Sequence, residues 1–157
     1  MAVLVRRTRE DDAPNIAGFA MKLVDQHRDY DPVRFARIAT LDGMQWFYGS
    51  QTEARDAAVL VAELDERIVG FAYVSYEKKN YAELTVSAAK LHDIYVDEGA
   101  RHSGAGKALI GASVEVAREL GASKLILSVA EKNSAAKRFF ERNGFHVTMH
   151  EMMLRID

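Results

Sequence analysis

The segment Arg101-His-Ser-Gly-Ala-Gly-Lys107 restricts the possible folds of this chain more than any other. It joins an apolar strand pattern, Leu91–Val96, to a long amphipathic helix pattern, Ala105–Leu120. A strand that turns so quickly into a helix places the two in adjacent layers. Gly104 and Gly106 let the backbone approach a ligand and aim several N–H groups into one concavity. The following helix adds the positive end of its dipole. Arg101 and Lys107 bracket the turn, and His102 supplies a further proton donor. The segment reads as a cradle for a phosphate or pyrophosphate; an ordinary strand-to-helix turn is the plainer alternative.

Two familiar phosphate loops do not fit. A Walker A loop needs a hydroxyl after Gly-Lys, and a glycine where Arg101 stands. Here Gly106-Lys107 is followed by Ala108. The dinucleotide fingerprint needs a third glycine for close helix packing, and Leu109 occupies that place.

The net charge of −2 over 157 residues provides no global attraction to nucleic acid or an anionic membrane. An anionic ligand must therefore be caught locally, by a loop of this kind. A chain of this length buries roughly two thirds of its unfolded surface as one domain. Its 48% apolar and 28% charged content is that of a folded protein. The absence of cysteine excludes disulfides, thiolate-ligated metal and a cysteine nucleophile. No metal site is read from the sequence. No run approaches the ~18 apolar residues of a membrane span, and the start lacks the apolar core of a secretory signal. A cytoplasmic protein is expected.

Along the chain, Val3–Arg7 reads as a first strand. Thr8 and Asp11 resemble a capping box before a helix reaching about Gln26, with Pro14 in its first turn. Asp31-Pro32 is expected to restart a helix carrying Phe35, Ile38, Met44 and Phe47 to about Gly49. Ala57–Leu64 and Ile68–Tyr76 form a hairpin about Asp65-Glu66. Lys78–Glu83 is polar and reads as a loop. Leu109, Ala112, Val116 and Leu120 form one apolar stripe that Gly121 terminates. Lys124–Val129 is a buried strand, Asn133 or Ser134 caps a helix ending at Gly144, and one or two strands follow from Phe145.

The strand before the loop has an irregularity. Leu91 and Ile94 are three apart, whereas a half-buried strand keeps its apolar residues at even spacing. A one-residue bulge around His92-Asp93 restores the register; a strand buried on both faces is the alternative.

Arg101-x-x-Gly104-x-Gly106, preceded by Val96 and followed by a helix, a strand and Asn133-Ser-Ala-Ala-Lys-Arg-Phe-Phe-Glu-Arg-Asn-Gly-Phe145, resembles the GNAT superfamily of N-acetyltransferases. The resemblance is strong over Leu91–Phe145 and looser before it. It implies an α/β, GNAT-like fold: a central mixed, mostly antiparallel sheet splayed between two parallel strands and flanked by about four helices. Residues 1–157 would form one acyltransferase domain. It also favours the bulge.

The resemblance further implies acetyl-CoA as cosubstrate, its pyrophosphate on Arg101, His102, Ser103, Gly104, Ala105, Gly106 and Lys107. The pantetheine arm is implied to lie between Leu91–Val96 and Lys124–Val129. There it would pair like an added strand with backbone groups of Ile94, Tyr95 and Val96. Asn133 would contact the arm while capping its helix. Members of the superfamily are often homodimers, and Met149, Met152 and Met153 read as core or a dimer seam.

Transfer to an amine needs a base, because an alkylammonium titrates near ~10.4. His92 stands where many members place a glutamate, and Asp93 is beside it. A histidine of unperturbed pKa near ~6.5 suits the task, although a lone histidine on a strand is commonly a surface residue. Asp93 would hold the substrate ammonium or orient His92. Phe140 departs from the pattern: the family's tyrosine there is implied to protonate the leaving sulfur. A thiol of pKa about 8.5 leaves readily as an anion, and Tyr95, Ser134 and Tyr81 are candidate substitutes. The expected activity is N-acetylation of a primary amine of a small molecule or peptide. The alternative, which Phe140 motivates, is a CoA-binding regulatory module with weak or no catalysis. The acidic and aromatic residues His27, Asp29, Tyr30, Asp31 and Glu77 lie where an acceptor would be gripped.

Overall fold

The computed structural model describes residues 2–157. Nine regular elements follow in chain order: β1 (Leu4–Arg7), α1 (Ala13–Tyr30), α2 (Leu41–Ser50), β2 (Ala57–Leu64), β3 (Arg67–Asn80), β4 (Thr85–Val96), α3 (Ala105–Glu119), β5 (Lys124–Leu127) and α4 (Ser134–Arg142). The strands form a single sheet in the order β1-β2-β3-β4-β5. The first three pairings are antiparallel and β4–β5 is parallel. The mixed, mostly antiparallel sheet and its four helices are those expected.

The strand pleat sorts the side chains into two cores. Leu60, Ala72, Val74, Ala89 and Leu91 meet α3 and α4 on one face. Val59, Val61, Phe71 and Tyr95 meet Ile16 and Ala20 of α1 and Tyr48 of α2 on the other. Asp65 and Glu66, with φ of 51° and 62°, make the tight β2–β3 turn. Gly121, with φ of 101°, ends α3 as its position predicted.

Four expectations require correction. No Thr8/Asp11 capping box forms: a short 3-10 turn, Glu10–Asp12, precedes α1, and the Arg9 amide at its start donates to Asp12 Oδ2 at 2.7 Å. Thr8 instead continues the ladder, its amide donating to Val59 O at 2.9 Å. Pro32 starts no helix. Asp31 Oδ1 accepts from the amides of Val33 and Arg34, both at 3.0 Å, closing a turn that folds Phe35 against His27. The second helix begins only at Leu41, where Thr40 Oγ1 accepts from the Gly43 amide at 3.0 Å. Lys78–Asn80 extends β3 by pairing with the start of β4, so only Tyr81–Leu84 turns. From Phe145 onward no strand forms among the described residues, because no segment of the chain pairs with it.

A partly buried ionic cluster ties β1 to the start of α1. Arg6 donates to both carboxylate oxygens of Asp12, at 2.7 and 3.1 Å, and to Glu63 Oε1 at 2.8 Å. The Arg6 hydrogen bonds hold the Asp12 carboxyl below its usual range, against the opposing effect of burial. A carboxylate with a lowered folded pKa contributes stability above its unfolded pKa and loses it as pH falls through the folded value. Asp12→Ala leaves Arg6 half-paired and the Arg9 amide uncapped, so it is expected to cost about 2–3 kcal/mol at neutral pH. Urea unfolding checks this, and the gap to wild type should narrow as pH falls below ~4.

Candidate functional site

The β4–β5 ladder stops early. Lys124–Leu127 pair with Ala88–Leu91, and beyond Leu91 the two strands carry no further pairing among the described residues. Strand backbone groups alternate sides. Asp97 donates its amide to Val69 O on the β3 side at 2.7 Å, so Tyr95 also turns its backbone toward β3. Ile94 and Val96 therefore face the notch that the parting strands leave. The Tyr95 side chain lies on the other face, against Phe19 of α1 with ring centres 5.2 Å apart.

At one end of the notch lies the Arg101–Lys107 loop. His102 and Gly104 both adopt left-handed backbone, with φ of 68° and 92°. That geometry turns the chain sharply into α3, whose N-cap is Gly104. Among the described residues the amides of His102, Gly104, Gly106 and Lys107 meet no internal acceptor. They open together at a helix N-terminus, the arrangement that suits a phosphate. The Arg101 Nε donates to Val96 O at 3.3 Å, which holds the guanidinium at the strand end. Lys107 is exposed, and Ser103 Oγ accepts from the Ala105 amide at 3.3 Å. Gly106 packs closely: a Cβ there would lie 3.0 Å from the tip of the Phe139 ring of α4, which would have to shift by a few tenths of an ångström.

Farther along β4 lies the bulge. Val74 pairs with Leu91 and Tyr73 with Asp93, so His92 is the extra residue. It lets Leu91 and Ile94 keep to the α3 side while His92 and Asp93 both stand on the α1/α2 side. His92 stacks on Tyr73, centres 5.0 Å apart, with its Nε2 2.6 Å from Ser75 Oγ. Burial lowers the His92 pKa, Asp93 opposes that, and Lys90 reinforces it. Asp93 accepts a 2.7 Å hydrogen bond from the Tyr48 hydroxyl of α2. Burial pushes the Asp93 carboxyl up, against the Tyr48 bond and the charges of His92 and His27. Burial and Asp93 together push the Tyr48 hydroxyl far up, so Tyr48 remains a donor.

The bulge opens on a small cleft lined by Ser75, Glu77, Glu83, Lys90, His92 and Ile126. Glu77 is thus at the cleft, whereas Asp29 lines a separate open recess with Asp25, Arg28 and Pro32. His27 is turned to α1, its Nδ1 donating to Leu23 O at 2.8 Å. Asn133 Oδ1 accepts from the Ala136 amide at 3.1 Å and so caps α4. Phe140, 8% exposed, sits in the core against Phe139 and Phe145. Phe139 is the less buried of the pair and reaches the loop glycine. Tyr48, Tyr73 and Ser75 are site residues that sequence reasoning did not single out. Tyr73 and Ser75 carried one available signal: odd positions on a strand whose even positions are apolar.

A backbone anion cradle leads along an unpaired strand edge to a base candidate beside a buried carboxyl. The chain is similar to several known proteins. The model of the Acetyltransferase (GNAT) family matches residues 11–145. An uncharacterised N-acetyltransferase of Bacillus subtilis is 27% identical over 143 residues, 90% of this chain and 88% of the relative. Streptothricin acetyltransferase of Streptomyces lavendulae is 37% identical over 98 residues, 62% of this chain and 49% of the relative. Among solved structures, the aminoglycoside acetyltransferase AAC(6')-Iy in complex with the bisubstrate analogue CoA-S-monomethyl-acetylneamine superposes with a TM-score of 0.80. Its identity is 18%, with 100% of this chain and 99% of that one covered.

Proposed function

The chain belongs to the acetyltransferase (GNAT) family, and from that premise we propose that it transfers an acetyl group from acetyl-CoA to a primary amine of a small molecule or peptide. The observation that carries this reading is the notch itself, with unpaired amides at one end and His92 beside Asp93 at the other.

The loop amides and Arg101 hold the pyrophosphate, and the backbone of Ile94 and Val96 pairs with the amides of the pantetheine arm. The acceptor nitrogen attacks the thioester carbonyl carbon directly. The C–N bond forms, the C–S bond breaks, and the sulfur leaves with the bonding pair. Before the attack His92 takes the proton that the acceptor ammonium must lose to become a neutral amine, directly or across Ser75 Oγ, which lies 2.6 Å from Nε2. Asp93 and Glu77 favour a cationic acceptor and keep its charge near the base. Phe140 provides no acid, so the sulfur departs as a thiolate or takes its proton from water. Streptothricin and aminoglycoside acetylation by the relatives just named supports a small-molecule amine. The absence of cysteine suits the reducing cytoplasm.

Calorimetry with CoA, followed by thiol release from acetyl-CoA across an amine panel, tests the reading. Saturable CoA binding with amine-dependent release is expected. Binding without release from any amine would replace catalysis with a CoA-responsive regulatory role, and no binding would remove both. The loop has its own prediction. Gly104 holds φ of 92° with open space where a Cβ would stand. Gly104→Ala is therefore a conformational change without a clash, costing about 1–2 kcal/mol if the loop is to keep its shape. CoA affinity should fall about 10-fold by calorimetry, with thermal stability little altered.

A further inference from the structure

Tyr48 stands beside the bulge without a part in the chemistry described above. It is the one buried residue of α2, at 3% exposed. A tyrosine buried so fully needs a partner for its hydroxyl. The partner here is Asp93 Oδ2, at 2.7 Å, on the far side of the α2–sheet interface. Phe47, Phe71 and Tyr73 box the Tyr48 ring edge to face, with centres 5.2, 5.4 and 6.0 Å from its own. The hydroxyl is therefore fixed in direction, and it is held at a carboxyl rather than at a backbone carbonyl.

Asp93 supplies the complementary half. Oδ2 takes the Tyr48 bond, whereas Oδ1 meets no donor among the described residues. Nor is Oδ1 sealed away, since the buried side-chain oxygen left without a partner among those residues is Thr52 Oγ1. The groups that face the Asp93 carboxyl are His92 on β4, with Lys90 beyond it, Tyr73 from β3, Tyr48 from α2 and His27 from α1. No lysine or arginine among the described residues bonds to it. A largely enclosed carboxylate without a cation of its own is costly, and it is fit to receive a cation from outside. A neutral donor such as the tyrosine hydroxyl orients the carboxylate without cancelling its charge, which an arginine would do. The same stretch of chain steadies the base. Gln51, immediately after α2, accepts from the Tyr73 hydroxyl at 3.2 Å, and the Tyr73 ring stacks on His92.

We infer that Tyr48 is a positioning residue: its hydroxyl pins Asp93 through Oδ2, so that Oδ1 is presented to the ammonium group of the acceptor. The inference rests on the acetyl-transfer reading, which supplies the amine. Burial drives the Asp93 carboxyl toward its neutral form, and the Tyr48 bond opposes that by favouring the charged one.

Tyr48→Phe removes the hydroxyl and fills the same aromatic box, so the fold should be kept. Two readouts on the full chain test the inference. Carbon-13 NMR with labelled aspartate carboxyls follows Asp93, whose signal is identified by its loss in Asp93→Asn. Its titration midpoint should move upward in Tyr48→Phe. In steady-state kinetics, KM for an alkylamine acceptor should rise about 10-fold, with KM for acetyl-CoA unchanged. In an Asp93→Asn background the same substitution should alter the amine KM by less than about 2-fold, because no carboxylate remains to be held. An equal rise in both backgrounds would show a merely structural tyrosine and overturn the inference. So would an unmoved Asp93 midpoint, or an amine KM that stays at the wild-type value in Tyr48→Phe. A wild type that releases no thiol with any amine is a different failure: it removes the acetyl-transfer reading, while the Asp93 midpoint still decides whether Tyr48 holds the carboxylate.

Discussion

His92→Ala is expected to lower kcat by 10²- to 10⁴-fold, the usual contribution of a positioned general base, while acetyl-CoA affinity stays nearly unchanged. The separation follows from the architecture. His92 is the extra residue of the β4 bulge, whereas the loop amides lie beyond Val96, at the start of α3. The pH profile gives the sharper readout. Only neutral imidazole accepts a proton, and burial holds the His92 pKa below its ordinary value. Wild-type kcat/KM should therefore fall only as pH drops through that lowered value. In the alanine variant this acid limb disappears, and the rise with acceptor deprotonation toward ~10 remains. Turnover unchanged between about pH 6 and 9 would remove His92 from the mechanism. Ser75→Ala should have a smaller effect, because water can bridge the gap that the hydroxyl leaves.

Leu109→Ala should be the most destabilising of the substitutions considered, at about 2–5 kcal/mol. Leu109 is completely buried, and α3 packs through it onto the sheet. Urea unfolding should show a lower midpoint with an unchanged m-value. The same contact explains a glycine on the facing strand. A Cβ at Gly70 would lie 2.5 Å from Tyr95 O and 3.4 Å from Leu109 Cδ1. Leu109 thus fills space that a bare backbone leaves, but the carbonyl of Tyr95 sets the tighter limit. Gly70→Ala should therefore remain destabilising, by about 1–3 kcal/mol, even when combined with Leu109→Ala. A double variant as stable as Leu109→Ala alone would show the leucine, not the β4 backbone, to be the obstacle.

Leu109 also illustrates what a sequence can disclose. Its presence where a dinucleotide fold needs glycine excluded that fold, and the structure shows the reason as a fully buried side chain. The bulge was legible only in part, since a strand buried on both faces fitted the same spacing and the family resemblance favoured the bulge. The three-residue spacing of Leu91 and Ile94 is a violation of strand period, and a period is a local property. The helix expected at Pro32 failed because two local signals competed: Pro at a first helical position, and Asp31 free to cap the amides of Val33 and Arg34. The side-chain turn won, and Thr40 supplied a second cap nearer the apolar stripe. The closing strands failed for another reason. A strand pattern records only the willingness to pair, and among the described residues no segment forms a ladder with residues 145–157.

From the sequence alone the mixed α/β layering was legible, the β4 bulge was one of two readings that the resemblance favoured, and the loop before α3 was marked as an anion-cradle candidate. All of these follow from glycine placement, capping and side-chain period within a few consecutive residues. What stands beside the bulge is set by packing between distant segments. Tyr48 reaches Asp93 across 45 residues, and Ser75 reaches His92 across 17. Tertiary packing also parts β4 and β5 after Leu91, leaving Ile94 and Val96 without a β5 partner among the described residues. The physical reason is one of range. Backbone preferences act between neighbours in the chain and are written there, whereas hydrogen-bond partners and ladder ends depend on which distant segments the two cores bring together.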